Sequence, residues 1–522
     1  MASGDLHHHQ HTRDYFETSA LTPSLLDLLA NTLVLYQTVP YLPISAILNL
    51  AATSRSFRHL LHGTPGVFRH LDLTQVTTAQ FDIDGVDHGG EIWRNVQVDE
   101  NLTEDDFYSG PLRGIFSGLR RRNILQHVGT LVLDGLSVTS EFLNDILIDP
   151  SSSVRILSIR EVKNLNERKL MQALRYACRP TRQENMPQLK AIYYFGKRDE
   201  VPPPPPQTAP AAARPSRAGV GVGAGWNHRS QHALRASIRG GGEGEGEGGG
   251  EDWYSRKGRM IGKPVADGWA ETLLDCRGAL RFDAVLCTGP RHRNSPAFGR
   301  TPITPVAAVG AGNGHATPWG VATFAVGGCA SCGSAPEGFT TYDGSPREEL
   351  PLLSPVPLHS SSVKSATRPA PIIPSSPSSL SSSSSKGDAR HQQQQQRHEF
   401  VPRCLECIRE RYCFSCNQWW CEACYQVPSR EELAAPHVHI VDEANGLADH
   451  EIAALGQSKF KTPKIARSCW ECEHNCLDCI AETQKRCQGC GGGYCIIHHE
   501  GSTLKLCDWC SQRGGRRCPE LY

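Results

Sequence analysis

The sequence predicts a multidomain protein: a helical N-terminal unit, a short α/β segment, a long disordered linker and a small C-terminal module folded around metal ions. Three observations predict it. Apolar residues recur at regular spacing up to about residue 197. From there to Glu399 the chain is dominated by Pro, Gly, Ser and Gln tracts. From Cys404 onward, cysteines arrive in pairs separated by two residues. A chain of 522 residues is long enough for several domains.

Lys plus Arg equals Asp plus Glu, at 54 each, so no global charge draws the chain toward nucleic acid or an anionic membrane. The segment Met1 to Asp14 is His-rich and polar, without a basic start leading into an apolar run, and no stretch of about 18 apolar residues follows. The expectation is a soluble chain of the cytoplasm, the nucleus or both. Thiols stay reduced there, so clustered cysteines point to metal rather than to disulfides.

Residues 20–75 read as helical. Leu25, Leu26, Leu28, Leu29, Leu33 and Leu35 follow Thr22-Pro23-Ser24, where a hydroxyl can cap a helix and Pro can open its first turn. After Pro40 and Pro43 a second pattern, Ile44, Ile47, Leu48, Leu50 and Ala51, runs into Ser54-Arg55-Ser56-Phe57-Arg58, and Gly63 and Pro65 stop it. In residues 76–197, three stretches look alike: Val128 to Leu133, Val154 to Ile159 and Leu189 to Tyr194. The first two are offset by 26 residues and each precedes a helical pattern, Ser140 to Ile148 and Asn166 to Cys178. Stacked strands of this kind would leave a concave surface for a partner.

Residues 198–400 carry the run Pro202 to Pro206, a Gly/Glu tract from Gly240 to Glu251, a Ser run near Ser375 to Ser385 and Gln392 to Gln396. Such sequence buries too little apolar surface to offset about 1 to 2 kcal/mol of backbone entropy per residue, so a disordered linker is expected. One island, residues 252–293, holds Trp269, Leu273, Leu274, Phe282 and Val285 and reads as a small folded insert. Cys329 and Cys332 could form a further metal site with Cys276 and Cys287.

Zinc takes four soft or borderline ligands in a tetrahedron, and two Cys three positions apart supply half of it from one tight turn. The pairs are Cys404/Cys407, Cys413/Cys416, Cys421/Cys424, Cys469/Cys472, Cys476/Cys479, Cys487/Cys490, Cys495/His498 and Cys507/Cys510, enough for about four zinc ions. The spacing repeats, and each half ends in a pair with an internal Trp, Trp470 or Trp509. This divides the region into two cross-braced arrays, residues 401–475 and 476–522. In the first, Cys404, Cys407, Cys421 and Cys424 share one ion, and Cys413, Cys416, Cys469 and Cys472 the other. In the second, Cys476, Cys479, Cys495 and His498 share one, and Cys487, Cys490, Cys507 and Cys510 the other. His437 and His439 are alternative partners for Cys413 and Cys416, and His499 for His498. Four-ligand sites are structural, and no catalytic residue stands out. Cys518 reads as an inert tail residue, and Trp419 and Trp420 as packing for the small metal core.

The order helix, Pro break, helix, Ser-Arg-x-Phe-Arg, then Leu71-Asp72-Leu73 resembles an F-box, and residues 76–197 resemble a leucine-rich-repeat segment. The cysteine order is similar to RING and FYVE modules, although the central spacing and the missing Cys-x-His depart from RING, and only Lys485-Arg486 stands where FYVE modules carry their basic lipid site. The whole resembles fungal F-box proteins. That resemblance implies the substrate-recognition subunit of an SCF-type ubiquitin ligase, docking a Skp-type adaptor and its cullin complex through Leu25, Leu28, Leu29, Ile47, Leu48 and Phe57, and holding a protein substrate. A second reading makes the module a RING-like ligase that meets a conjugating enzyme at Leu477 and Trp509. A third is a nucleic-acid or scaffold platform using Lys485, Arg486, Arg513, Arg516 and Arg517. No membrane partner is expected, and the balanced charge speaks against nucleic acid.

Overall fold

A computed structural model describes residues 24–80, 104–199, 258–298, 319–367, 399–427 and 464–512, apart from isolated positions within them. It begins with four short helices: α1 (Leu25–Ala30), α2 (Thr32–Thr38), α3 (Ile44–Thr53) and α4 (Arg55–Gly63). Local side chains set each start. Ser24 and Asp27 form a reciprocal capping box on α1, Asn31 caps α2, and Ser54 both ends α3 and caps α4.

Next come β1 (His70–Asp72), α5 (Glu104–Arg121), β2 (Thr130–Val132), α6 (Ser140–Ile148), β3 (Ile156–Ser158), α7 (Glu167–Ala177) and β4 (Ala191–Tyr193). The three look-alike stretches of sequence thus supply β2, β3 and β4. Beyond residue 257 lie β5 (Gly258–Arg259), α8 (Trp269–Asp275) and β6 (Arg281–Phe282). Strands β1, β2, β3, β4 and β6 form one parallel sheet in that order. Its register stacks Leu71, Leu131, Leu157, Ile192 and Phe282 in one row. That row belongs to a core that also takes Leu29, Leu35 and Leu61 from the N-terminal helices and Leu143, Leu170, Leu174 and Trp269 from α6, α7 and α8. The helical unit and the α/β segment, expected as separate domains, therefore share one hydrophobic core. The insert around Trp269 is part of it.

The other face of the sheet, expected to be open to a partner, is covered by the chain itself. Val132, Ile156, Ala191 and Tyr193 pack against Leu352, Val356 and Ala366, the last in α9 (Val363–Ala366). Leu352 N–H donates to the Phe282 carbonyl at 2.9 Å, which fixes the strap at the sheet's edge.

Two charged networks tie the strand exits together. Asp283 is fully buried and accepts hydrogen bonds from the backbone N–H groups of Tyr194, Phe195 and Gly196 at 2.9, 3.0 and 2.8 Å. Arg160, 1% exposed, donates to both carboxylate oxygens of Asp199 and to Asp134, whose other oxygen takes the Ser158 hydroxyl at 2.6 Å. Burial works against the Arg160 charge, but Asp199 and Asp134 outweigh it and hold its pKa above the usual arginine value.

The rest of the chain builds a second centre: β7 (Phe324–Val326), β8 (Thr340–Thr341), β9 (Glu399–Arg403), α10 (Leu405–Ile408), the β10 (Ile465–Ala466) and β11 (Asn475–Cys476) hairpin, α11 (Leu477–Thr483), the β12 (Gln484–Arg486) and β13 (Gly493–Cys495) hairpin, and α12 (Asp508–Gln512). Strands β5, β7, β9 and β8 make an antiparallel sheet in that order. Residues 319–367 were expected within the linker and residues 252–293 as a small folded insert in it; segments 258–298 and 319–367 together supply strands to both sheets. Their apolar side chains join several cores one or two at a time, Trp269, Leu273 and Phe282 in the main core, Val285 and Phe324 in the metal-module core and Leu352 and Val356 on the sheet, rather than forming one long run. The tracts that motivated the linker reading lie outside the described residues. No helix among the described residues is long and apolar enough to cross a membrane.

Candidate metal centres

Among the described residues, five clusters bring four metal-ligating side chains together, with the ligating atoms of each cluster within 4.8 Å of one another. They are Cys287, His292, Cys404 and Cys407; Cys329, Cys332, Cys421 and Cys424; Cys413, Cys416, Cys476 and Cys479; Cys469, Cys472, Cys495 and His498; and Cys487, Cys490, Cys507 and Cys510. All sixteen ligands expected from sequence fall in these clusters. Four more, Cys287, His292, Cys329 and Cys332, complete them.

The spacing fits a tetrahedral ion. Four sulfurs bonded at about 2.3 Å to one metal lie about 3.8 Å apart, whereas a disulfide brings them to about 2.05 Å. The sulfur separations are 3.8 Å for Cys287 and Cys407, 3.8 Å for Cys332 and Cys421, 3.7 Å for Cys413 and Cys479, 3.6 Å for Cys472 and Cys495, and 3.8 Å for Cys490 and Cys507. All five clusters are thus geometrically suited to a metal ion.

Local backbone explains why these pairs form ligand turns. In Cys329/Cys332, Cys413/Cys416 and Cys487/Cys490 the next residue, Gly333, Asn417 or Gly491, has positive φ, and its N–H returns to the carbonyl of the first Cys at 2.7, 2.9 and 2.9 Å. Glycine and asparagine tolerate that conformation at little cost. Cys404/Cys407 and Cys476/Cys479 instead use the first turns of α10 and α11. Close approach leaves little space: a Cβ on Gly289 would stand 2.4 Å from the Cys407 sulfur.

Electrostatics point the same way. Cys487 is held down to about 6, first by the backbone N–H of Cys507 and then by those of Cys490 and Gly489, with burial opposing. Burial lowers the His292 imidazole, but the sulfurs of Cys287 and Cys407 outweigh it and raise it to about 10, so this pocket favours positive charge at its centre. Around the same cluster Glu422 is buried and accepts from Arg291 at 2.8 Å and from Arg411 at 2.6 Å, and Arg411 also donates to the Cys407 carbonyl. Arg403 is buried beside Glu337.

The ligand pairing corrects the sequence reading. Only Cys487, Cys490, Cys507 and Cys510 group as expected. Cys404 and Cys407 join Cys287 and His292, because β9 runs antiparallel to β7 and delivers Cys404 to the point where the chain arrives from β6. Cys421 and Cys424 then join Cys329 and Cys332, which follow β7. These two upstream pairs displace the middle of the order: Cys413 and Cys416 take Cys476 and Cys479, while Cys469 and Cys472 take Cys495 and His498. Both groupings cross residue 475, so there are not two separate arrays. Taking the ten pairs in chain order, the first binds with the third, the second with the fifth, the fourth with the seventh, the sixth with the ninth and the eighth with the tenth. Each site interlocks with the next.

Cys276 is in none of the described clusters. It lies buried in the main core, where a hydrogen bond to Cys178 and burial push its thiol upward. His498 presents Nδ1 at 3.2 Å from Cys472, whereas His499 faces Asp508, so it is His498 that joins the cluster. His437, His439, Arg513, Arg516, Arg517 and Cys518 lie outside the described residues. Trp419 and Trp420 are buried in the metal-module core, while Leu477 and Trp509 are exposed. Of the residues expected at an adaptor contact, Leu25, Leu28 and Leu48 are exposed, Phe57 is partly buried, and Leu29 and Ile47 are core residues. A Leu stripe wider than one helix face has to be split between core and surface, and spacing alone did not split it.

No protein-family model, curated protein or solved structure matches this chain.

Proposed function

We propose that this protein is a non-catalytic receptor: its N-terminal helices dock an adaptor protein, and its metal-braced module is a rigid platform for a second protein. The observation that carries this reading is the run of exposed apolar side chains on the N-terminal helices and the turns between them: Leu25, Leu28, Leu33 at 75%, Val34, Tyr41 at 67% and Leu48. Apolar surface concentrated in this way marks a protein contact rather than an ordinary monomer surface. In the finer reading this unit is an F-box, the adaptor is of Skp type, the α/β segment is of leucine-rich-repeat kind, and the assembly is an SCF-type ubiquitin ligase in which proximity to a conjugating enzyme does the chemistry. Zinc is the proposed ion, since sulfur-rich sets with an occasional His favour it over harder divalent cations.

The test is copurification of a Skp-type adaptor with the full chain, lost in Leu28→Lys with Leu48→Lys. No adaptor bound to the unaltered chain overturns the reading. A second reading, a RING-like ligase acting directly, draws on the exposure of Leu477 at 52% and Trp509 at 56% on metal-bearing turns. Self-ubiquitination by the chain with a conjugating enzyme, abolished by Leu477→Asp, would favour it over the receptor.

A further inference from the structure

The entry ends of the parallel strands carry cations in one row. The residues just before β1, β2, β3 and β4 are Arg69, Gly129, Arg155 and Lys190, and the register that pairs His70, Thr130, Ile156 and Ala191 sets these four side by side. Their backbones are linked in sequence: Gly129 N–H donates to Arg69 O at 2.8 Å, Arg155 N–H to Gly129 O at 2.8 Å and Lys190 N–H to Arg155 O at 2.9 Å. Around them is a pocket of about 550 Å³, lined also by His127, Ser153, Ser361 and Ser362, with no carboxylate among its lining residues.

The partners in this pocket are almost all donors. Arg69 donates through Nε and Nη2 to the hydroxyl oxygen of Ser361, at 3.2 and 3.0 Å. Ser361 is buried, and having accepted twice it keeps its own O–H to donate. Gly129 leaves the space that Ser361 fills, since a Cβ there would stand 2.7 Å from the Ser361 oxygen. The Arg155 guanidinium has no hydrogen-bond or ion-pair partner among the described residues. Among the described residues the Lys190 ammonium donates only to the Pro187 carbonyl, and burial together with the neighbouring Arg182 and Arg155 lowers its pKa. A folded protein gains nothing by collecting unneutralised cations at one strand edge unless an anion compensates them.

We propose that this pocket binds a tetrahedral phosphate group, either free phosphate or a phosphate monoester, held by Arg69, Arg155, Lys190 and the hydroxyls of Ser361 and Ser362. Arginine suits this role because its planar fork presents two N–H groups to two phosphate oxygens. Lys190 adds a point charge, and the serines add neutral donors.

The test is calorimetric titration of the full chain with inorganic phosphate and, separately, with O-phosphoserine, at constant ionic strength set with chloride. Saturable one-site binding is expected, weakened about tenfold or more in Arg155→Gln and in Lys190→Gln, as loss of one charge-assisted hydrogen bond implies. Serine as a control should not bind. Tighter binding of O-phosphoserine than of phosphate identifies an ester ligand, and equal binding identifies the free ion. Because Arg155 supports no other described contact, its variant should unfold at the same temperature as the unaltered chain in chloride. Absence of saturable binding, or affinity unchanged in both variants, overturns the proposal.

Discussion

The Cys287 sulfur lies 3.8 Å from the Cys407 sulfur, across 120 residues of chain. A residue from the insert within the expected linker thus belongs to the first metal cluster as fully as the Cys-x-x-Cys pair it meets. Metal content measures this directly. The full chain should carry five ions if every cluster is filled. Cys287→Ala should lower the count by one, whereas Cys276→Ala, in the main core, should leave it unchanged. A count unaffected by Cys287→Ala would remove that residue from the ligand set.

Arg160 should be a strong stability determinant of the α/β core. It is buried and shared between Asp134 and Asp199, so Arg160→Ala leaves the buried Asp134 carboxylate without its cation. The expected cost is about 3 to 5 kcal/mol, read as a lowered urea midpoint. Removing Asp134 as well should cost less than the sum of the two single changes. Full additivity would mean that the network is not coupled.

Leu28 and Leu29 are neighbours with opposite fates. Leu29 is 6% exposed and part of the main core, so Leu29→Ala should destabilise by about 2 to 4 kcal/mol. Leu28 is 48% exposed, and Leu28→Ala should change thermal stability by about 0.5 kcal/mol or less while weakening any adaptor contact. Equal loss of stability in both variants would place Leu28 in the core too.

Acid should release metal from the last cluster. The folded chain holds Cys487 near 6 without an ion, below the ordinary thiol range, so its thiolate contribution is complete at alkaline pH, and a bound ion, competing with the proton for the sulfur, moves its loss to below about 6. A chromophoric chelator present during acidification should report release from Cys487, Cys490, Cys507 and Cys510 below about pH 6 and little near pH 8. Comparable release at pH 8 would show that these backbone N–H groups do not stabilise the thiolate.

Much of this architecture was legible in the sequence, for identifiable reasons. Val128 to Leu133 and Val154 to Ile159 read as strands because short apolar runs ahead of an amphipathic helix have few alternatives. The metal ligands were legible because Cys-x-x-Cys turns are local. Pairing was not, since which turn meets which depends on β9 returning to β7 across residues 327–398. His292 escaped notice, and Cys287 was grouped with Cys276, Cys329 and Cys332 instead, because a Cys and a His five positions apart carry a weaker signal than a Cys-x-x-Cys turn. The covered face of the parallel sheet was illegible too: Leu352, Val356 and Ala366 are spread over a Pro- and Ser-rich stretch with no period to follow.

The overlapping order of the five clusters makes covalent continuity partly redundant. A single backbone cut between residues 298 and 319, or between 367 and 399, would divide the polypeptide but not the molecule. Coordination through Cys287 and His292 to Cys404 and Cys407, and in the second case also through Cys329 and Cys332 to Cys421 and Cys424, would still join the fragments. Metal ions bound at these clusters would then serve as the fastenings of the chain, and their removal, more than proteolysis, would loosen the module.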